Sequence, residues 1–188
     1  MRIISGTFKG RKIERPEDNK TRPLKDLTKE SIFNILTHSN KFKVNLSDSI
    51  VLDLFSGVGS FGIECLSRGA KKVIFVENYS NVLKILKKNL NIFKTNSTYK
   101  IIEKNIYDNY FFNNLESKFD IVFLDPPYKE NKLEIIFSAI KDNKILSENG
   151  IIIMHRHKKE KEILHPGFEI IEEKTYGISK ILFFSFLK

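Results

Sequence analysis

The residue types that imply chemistry most directly are Asp125-Pro126-Pro127-Tyr128, directly after the apolar run Phe119 to Leu124. The two prolines end a strand and fix the backbone where it stops. Such a turn suits an amine conjugated to a flat ring. The lone pair of that nitrogen is delocalised and its nucleophilicity is poor. Two acceptors on its two N–H groups draw it toward tetrahedral geometry and free the lone pair. The Asp125 carboxylate supplies one acceptor, and the Pro126 carbonyl, held rigid by Pro127, supplies the other. Tyr128 can stack on the ring, worth about 1–3 kcal/mol on comparable stacking platforms. No strong general base is needed, because an amine that has gained a methyl is cationic and acidic. Asp125 then orients the nitrogen and stabilises its developing charge, while in-line placement supplies much of the rest. The bland alternative is a plain turn, which these residue types also make.

A second stretch supplies the floor of a ligand site. Ser49 to Gly62, SIVLDLFSGVGSFG, is an apolar run, a Gly-rich turn and a reopening apolar pattern, which reads as strand, tight turn and helix. Gly57 and Gly59 permit backbone angles that a side chain forbids and let a ligand press on the main chain. Gly57 to Gly62 also satisfies G-x-G-x-x-G, with Glu77 about 20 residues on, as a dinucleotide site requires. Asp53 points the other way. A carboxylate four residues before the first glycine would repel a pyrophosphate and suits a ligand with a cationic end, such as S-adenosylmethionine (AdoMet). Asp53 could also do no more than cap the turn.

The elements that must position these residues follow in order. Residues 1–16 place Ile3, Ile4, Phe8 and Ile13 around Gly6 and Gly10, a turn-rich β-hairpin. Its apolar faces are too thin to serve as core, and Arg2, Lys9, Arg11, Lys12 and Arg15 make it a candidate phosphate-contacting arm; the alternative is a charged edge that discourages aggregation. After the polar loop 17–20 and Thr21-Arg22-Pro23, Leu24, Leu27, Ile32, Phe33, Ile35 and Leu36 recur near helical spacing. Lys72 to Glu77 is a second strand whose terminal acid could accept both hydroxyls of a ribose. Ser80 to Phe93 is a helix with Ser80 as its N-cap. Tyr99 to Glu103 is a third strand, followed by Asn105, which could bond an adenine edge or be a loop residue, with Asp108 a rival. Tyr107 to Leu115 reads as a short helix. Lys132 to Ile140 is a helix, Gly150 to Met154 a fifth strand, and His155 to Lys159 a basic loop. Phe168 to Ile171 and Ile178 to Phe186 form a closing antiparallel hairpin. The alternation predicts an α/β, mostly parallel, doubly wound sheet.

Composition bounds the class. At 188 residues, 41% hydrophobic and 29% charged, the chain reads as one domain with a real core. No run has the length of a membrane span, and no secretory signal pattern is visible. The single cysteine, Cys65, reads as a small buried hydrophobe in a reduced compartment. The four histidines and one cysteine show no metal-ligand spacing, so no metal is expected. A formal charge of +9, from 32 Lys and Arg against 23 Asp and Glu, suggests a polyanionic partner.

DLFSGVGSFG and DPPY together resemble the AdoMet-dependent amino-methyltransferases that act on nucleobases. RIISGTFKGRKIERP, then TRPLKDLTKESIFNIL, and the late Tyr176-Gly177 turn are similar to the bacterial RsmD family, the guanine-N2 methyltransferases of small-subunit (16S) ribosomal RNA, over almost the whole chain. The resemblance implies a Rossmann-like class I methyltransferase fold with a seven-stranded sheet. It implies an N-terminal RNA-contacting extension over residues 1–40 and a catalytic core over 41–188. Asp53, Phe55, Ser56, Gly57 and Gly59 would line the methionine end of AdoMet. Glu77 would hold the ribose with Asn78 beside it, and Asn105 and Ile106 would meet the adenine. Asp125, Pro126, Pro127 and Tyr128 would hold a flipped-out guanine. Arg2, Lys9, Arg11, Lys12 and Arg22 would grip RNA, in an assembled or partly assembled subunit, with a cytoplasmic monomer as the default. Two segments depart from the pattern. Lys29 stands where an arginine is usual, which keeps charge without a bidentate fork. His155-Arg156-His157 replaces an acidic residue, and these histidines read as exposed loop residues. The rivals are a DNA or protein-glutamine amino-methyltransferase, an NAD-dependent oxidoreductase, which leaves Asp53 and DPPY without a task, and a catalytically silent RNA-binding assembly factor.

Overall fold

The structure, a computed structural model, describes residues 1–16, 24–93, 96–108, 110–115, 117–127, 130, 132–160 and 165–187. Arg22 and Tyr128 therefore lie outside the described residues. Seven strands form one sheet in the order β3-β2-β1-β4-β5-β7-β6. They are β1 Ile50–Leu54, β2 Lys72–Val76, β3 Tyr99–Ile102, β4 Phe119–Leu124, β5 Leu146–His157, β6 Phe168–Tyr176 and β7 Ser179–Phe186. The first five run parallel, and β7 inserts antiparallel between β5 and β6. The inner strands are apolar on both faces because both faces are covered.

On one face, Val51, Phe75, Phe123, Ile153 and Phe183 pack with α1 (Asp26–His38), α2 (Ser60–Ser67) and α3 (Ser80–Leu90). Rings interleave there: Phe33 of α1 lies 5.3 Å from Phe61 of α2, which stacks 3.9 Å from Phe123 of β4. Burying each such ring stabilises by roughly 1.5–3 kcal/mol. On the other face Leu52, Leu54, Val122, Ile152 and Phe184 meet Ile136, Phe137 and Ile140 of α4 (Leu133–Asp142). Cys65 is buried on α2, as its apolar neighbours predict. Among the described residues no helix is long and apolar enough to cross a membrane.

Several expectations are corrected. The arm is not a regular hairpin; one antiparallel bridge, Arg2 to Lys12, closes it. Nor is it too thin for the core, since Ile3 and Ile13 are buried in the same cluster as Val51 and Phe61. Its backbone docks on α2. The N–H groups of Ile4 and Ser5 donate to the Glu64 carboxylate at 2.8 and 2.9 Å, and Thr7 N–H donates to the Ser67 carbonyl at 2.8 Å. Gly6 (φ +82°) passes so close that a Cβ there would meet the Ser67 carbonyl oxygen at 1.8 Å. Leu27, placed on the apolar stripe of α1, is 77% exposed. Among its described residues, the segment 107–115 contains one short 3-10 turn, Phe112–Asn114, in place of a helix. α3 ends at Leu90, short of Phe93. β5 is far longer than Gly150–Met154: it begins with Leu146 opposite Phe119, crosses a register shift, and runs to His157 because β7 pairs that far. His155-Arg156-His157 is thus the end of a strand and not a loop, and His155 and Arg156 are buried.

Candidate active site

The strand order reverses at β1 and β4, where open α/β sheets place their ligands beyond the carboxyl ends. The chain leaves β1 through a tight turn. Phe55 (φ 58°), Gly57 (55°) and Gly59 (85°) are all left-handed, so the backbone doubles back and α2 can start at Ser60. A Cβ on Gly59 would also meet Leu86 at 2.6 Å. Ser56 ties the turn to the end of β2, its N–H and hydroxyl both donating to the Val76 carbonyl at 3.0 and 3.2 Å. Asp53, next to last in β1, accepts the Gly62 N–H of α2 at 3.0 Å, which satisfies one of the orphan donors of the first helical turn. Burial pushes the Asp53 carboxyl well above the usual carboxylate range, and the charges of Asp125 and Glu77 push it further.

Glu77 follows β2. Its Oε2 accepts the Gly57 N–H at 2.8 Å, and its Oε1 accepts the N–H groups of Asn78 and Tyr79, both at 2.9 Å. The carboxylate, and not the expected Ser80 hydroxyl, serves the entry to α3. Ser80 is already helical, with Tyr79 as the cap residue. Three backbone donors fix the orientation of Glu77 and leave one Oε2 lone pair open. Asn78 beside it is exposed.

Beyond β3, Asn105 is exposed and its Oδ1 accepts the Tyr107 N–H at 3.0 Å, while its carbonyl accepts the Asp108 N–H at 3.0 Å. This local turn presents Ile106, which is buried in the second core cluster. Phe55 and Tyr107 approach to 6.5 Å between ring centroids. Burial first, and Glu130 second, push the Tyr107 phenol above its ordinary value.

β4 delivers Asp125 to the rim, with Pro126 buried behind it and Pro127 exposed. The chain turns at once, because the Glu130 N–H donates to the Pro127 carbonyl at 2.9 Å. Nδ1 of His155 lies 2.8 Å from Oδ1 of Asp125. Arg156, next along β5, reaches the Glu130 carbonyl and the Glu160 carboxylate, each at 3.4 Å. Asp53, Glu77 and Asp125, from three different strands, thus share one electrostatic neighbourhood. Among the described residues no cluster of metal-binding side chains occurs.

The basic arm lies against the same layer. Arg2, Lys9, Arg11, Lys12 and Arg15 are exposed, and the Arg11 guanidinium sits 5.2 Å over the Phe8 ring. The arm meets the Gly turn through Asn89 of α3. The Asn89 amide accepts the Glu14 N–H at 2.8 Å and donates to the carbonyls of Glu14 and Val58, at 3.2 and 3.0 Å. Sequence reasoning missed Asn89 and Glu64, and did not show that Lys29 and His155 are buried. Each left the same signal: a polar residue at an apolar position of its own periodicity. Asn89 falls in line with Val82 and Leu86, Glu64 lies inside a wholly buried helix, and His155 continues the alternation of Ile151 and Ile153.

The chain matches the family model described as Conserved hypothetical protein 95 over residues 1–185. It is 36% identical over 179 residues to the Ribosomal RNA small subunit methyltransferase D of Haemophilus influenzae, covering 95% of this chain and 90% of that one. The chain belongs to the RsmD family. Its fold agrees. The Escherichia coli protein yhhF superposes with a TM-score of 0.81 at 26% identity, over 98% of this chain and 96% of that one. A more distant fold neighbour, SMU.776 complexed with SAH, superposes with a TM-score of 0.63 at 16% identity, over 84% of this chain and 49% of that one, a likeness that speaks to the fold alone. The sheet is that of the class I methyltransferases. In this RsmD-family chain the Gly turn, Glu77 and the Asp125 rim occupy the carboxyl ends of β1, β2 and β4, at the reversal of strand order.

Proposed function

We propose that this chain transfers a methyl group from AdoMet to the exocyclic N2 amine of a guanine in small-subunit ribosomal RNA. The observation that carries the reading is that Asp53, Glu77 and Asp125 stand at the carboxyl ends of β1, β2 and β4, close enough that the charges of Glu77 and Asp125 act on Asp53. Family membership supports RNA as the substrate.

The donor set fits AdoMet. Three carboxylates around a Gly turn repel a pyrophosphate and attract a ligand with an ammonium and a sulfonium, which disfavours a dinucleotide. When bound, AdoMet supplies an electrophilic methyl group. The protein does the remainder. Glu77, held by three backbone N–H groups, offers its open lone pair to a ribose hydroxyl. Asn105 and Ile106, in the turn after β3, would meet the adenine. Asp125 and the Pro126 carbonyl accept the two N–H groups of the guanine amine, which pulls the nitrogen out of conjugation and aims its lone pair. Tyr128, which follows in the same motif, is the residue type suited to stack on the base. As the amine takes the methyl group from the sulfonium sulfur, the positive charge growing on nitrogen would lie beside the Asp125 carboxylate. One proton then leaves the amine to that carboxylate and passes to water. The exposed cations of the arm contact RNA phosphates, which position the substrate without reading its sequence.

The deciding experiment incubates the protein and methyl-labelled AdoMet with small ribosomal subunits, and separately with their deproteinised RNA, from cells lacking this gene. Labelled N2-methylguanosine after nucleoside digestion is the expected result, and the ratio of the two substrates shows whether ribosomal protein helps. AdoMet binding without label in either RNA would overturn the assignment and redirect the search to DNA, to glutamine side chains, or to a binding role without turnover.

A further inference from the structure

The Asp125 carboxylate is not free to rotate. Its Oδ1 lies 2.8 Å from Nδ1 of His155. The imidazole is planted by the sheet: on β5 its residue pairs with Ile181 of β7, and it follows Met154, the partner of Leu124 in β4. The ring is thus set one position beyond the last paired residues of β4, level with the start of the Asp-Pro-Pro turn. It is 8% exposed.

The proton on Nδ1 follows from Asp125. An ionised carboxylate can only accept, so Nδ1 carries a proton and donates it to Asp125. Nε2 is buried, and no described residue bonds to it. Among the described residues the ring has one hydrogen-bond partner, and that partner is the candidate acceptor for the substrate amine. Buried polar atoms without partners are rare and call for an explanation. An aromatic or aliphatic residue would fill the same space without leaving Nε2 unsatisfied, so packing does not explain a histidine here. The bond to Asp125 does. It occupies Oδ1, and no described residue bonds to Oδ2.

We propose that His155 is a positioning residue for methyl transfer: its Nδ1–H holds Asp125 in one rotamer so that Oδ2 is presented to the amine. The proposal rests on the reading of Asp125 as the amine's acceptor. Positioning of this kind acts on the reacting geometry and not on AdoMet affinity, because a small misplacement of an acceptor is felt in the transition state.

The test compares wild type with His155→Phe, His155→Ala and His155→Asn, and with Asp125→Asn alone and combined with His155→Ala. For each, kcat, KM for RNA, the Kd for AdoMet and the melting temperature are measured. The expected result for His155→Phe and His155→Ala is a 10- to 100-fold loss of kcat, an AdoMet Kd within about twofold of wild type, and little change in KM, the pattern of a lost transition-state interaction. His155→Asn, which keeps one N–H donor, recovers about tenfold over His155→Ala. In the Asp125→Asn background His155→Ala adds little, because the two act as a unit. A wild-type kcat in the His155→Ala variant, or full additivity in the double variant, would overturn the proposal. Should His155→Phe fail to fold, His155→Asn against His155→Ala decides by itself. An Asp125→Asn variant that keeps wild-type kcat sinks the reading of Asp125 and is recognisable apart from any His155 result.

Discussion

The Lys29 ammonium lies 3.4 Å from the Glu64 carboxylate, with both side chains wholly out of solvent. The same ammonium donates to the Arg2 carbonyl at 2.8 Å. Glu64 in turn takes the N–H groups of Ile4 and Ser5 and the Arg68 Nε–H, the last at 2.8 Å. The pair is a clasp that fastens the basic arm and α1 to α2. Burial lowers the Lys29 pKa, opposed by the charges of Glu64 and Asp26. The two partners are therefore unequal. Glu64→Ala strands a buried ammonium and frees two backbone donors, and is expected to cost about 3–5 kcal/mol. Lys29→Met leaves Glu64 with Arg68 and both arm N–H groups, relieves a costly burial, and is expected to cost less than about 2 kcal/mol. Urea unfolding of the two variants checks the order. Equal losses would mean the charge pair itself, and not the backbone clasp, holds the arm.

Asn89 ties the arm to the Gly turn after β1, and its amide spends both its acceptor and its donors on main chain. Asn89→Leu keeps the volume and removes every one of those bonds. The expected loss is about 1–3 kcal/mol, the cost of leaving buried backbone groups unpaired. Amide exchange should accelerate at Glu14 and in the Gly57–Gly59 turn, and AdoMet affinity should fall with it. Faster exchange at Glu14 alone would show that the turn holds its shape without Asn89.

The arm's exposed cations give a third outcome. Arg11 and Lys12 belong to a surface where the described residues place no carboxylate within ion-pair distance of them. Replacing both by Gln should weaken RNA binding, and should lower the slope of log K against log salt by about 0.7 to 0.9 for each lost phosphate contact. AdoMet affinity should not change. A slope equal to wild type would move the RNA surface off the arm.

What was legible in the sequence depended on whether a residue's role is local. The strand-turn-helix at Asp53 to Gly62 and the Asp-Pro-Pro turn are short-range geometry, so Gly spacing and prolines disclosed them. The parallel core strands were legible from unbroken apolar runs, as both-face burial requires. The arm's part in the core is hidden because its apolar residues are few, and Ile3 and Ile13 are core only because residues of α1, α2 and α3, distant in sequence, join them in one buried cluster. His155 was misread for a related reason. Its neighbours Arg156, His157, Lys158 and Lys159 look like a solvated loop, but β7 arrives from the far end of the chain and carries β5 on through Arg156 to His157. Glu77 is placed at a ribose from its strand-end position, whereas its bond to the Gly57 N–H joins it to a turn 20 residues earlier in the chain, and its other two bonds close on its own next residues, Asn78 and Tyr79.

Asp53 yields a prediction with a definite sign. Its folded-state pKa is raised well above the ordinary value, first by burial and then by Asp125 and Glu77. Below about pH 4, the ordinary Asp value, the folded and unfolded carboxyls are both protonated. Above it the unfolded chain ionises while the folded carboxyl still holds its proton, so the folded state binds more protons and stability falls as pH rises through the folded value. Asp53→Asn removes this loss and keeps an amide oxygen to accept the Gly62 N–H. The variant should melt higher than wild type at pH 7.5, and the difference should shrink toward zero at pH 4. At pH 7.5 the same variant should bind AdoMet about tenfold or more weakly, a loss of at least ~1.4 kcal/mol, because the cationic end of the ligand favours the ionised form of Asp53 and an amide has no charge to offer it. Stability gained together with binding lost is what a buried carboxylate kept for a ligand requires. An Asp53→Asn protein that melts like wild type at both pH values would mean that the carboxyl is already relieved of its burial by water in the crevice.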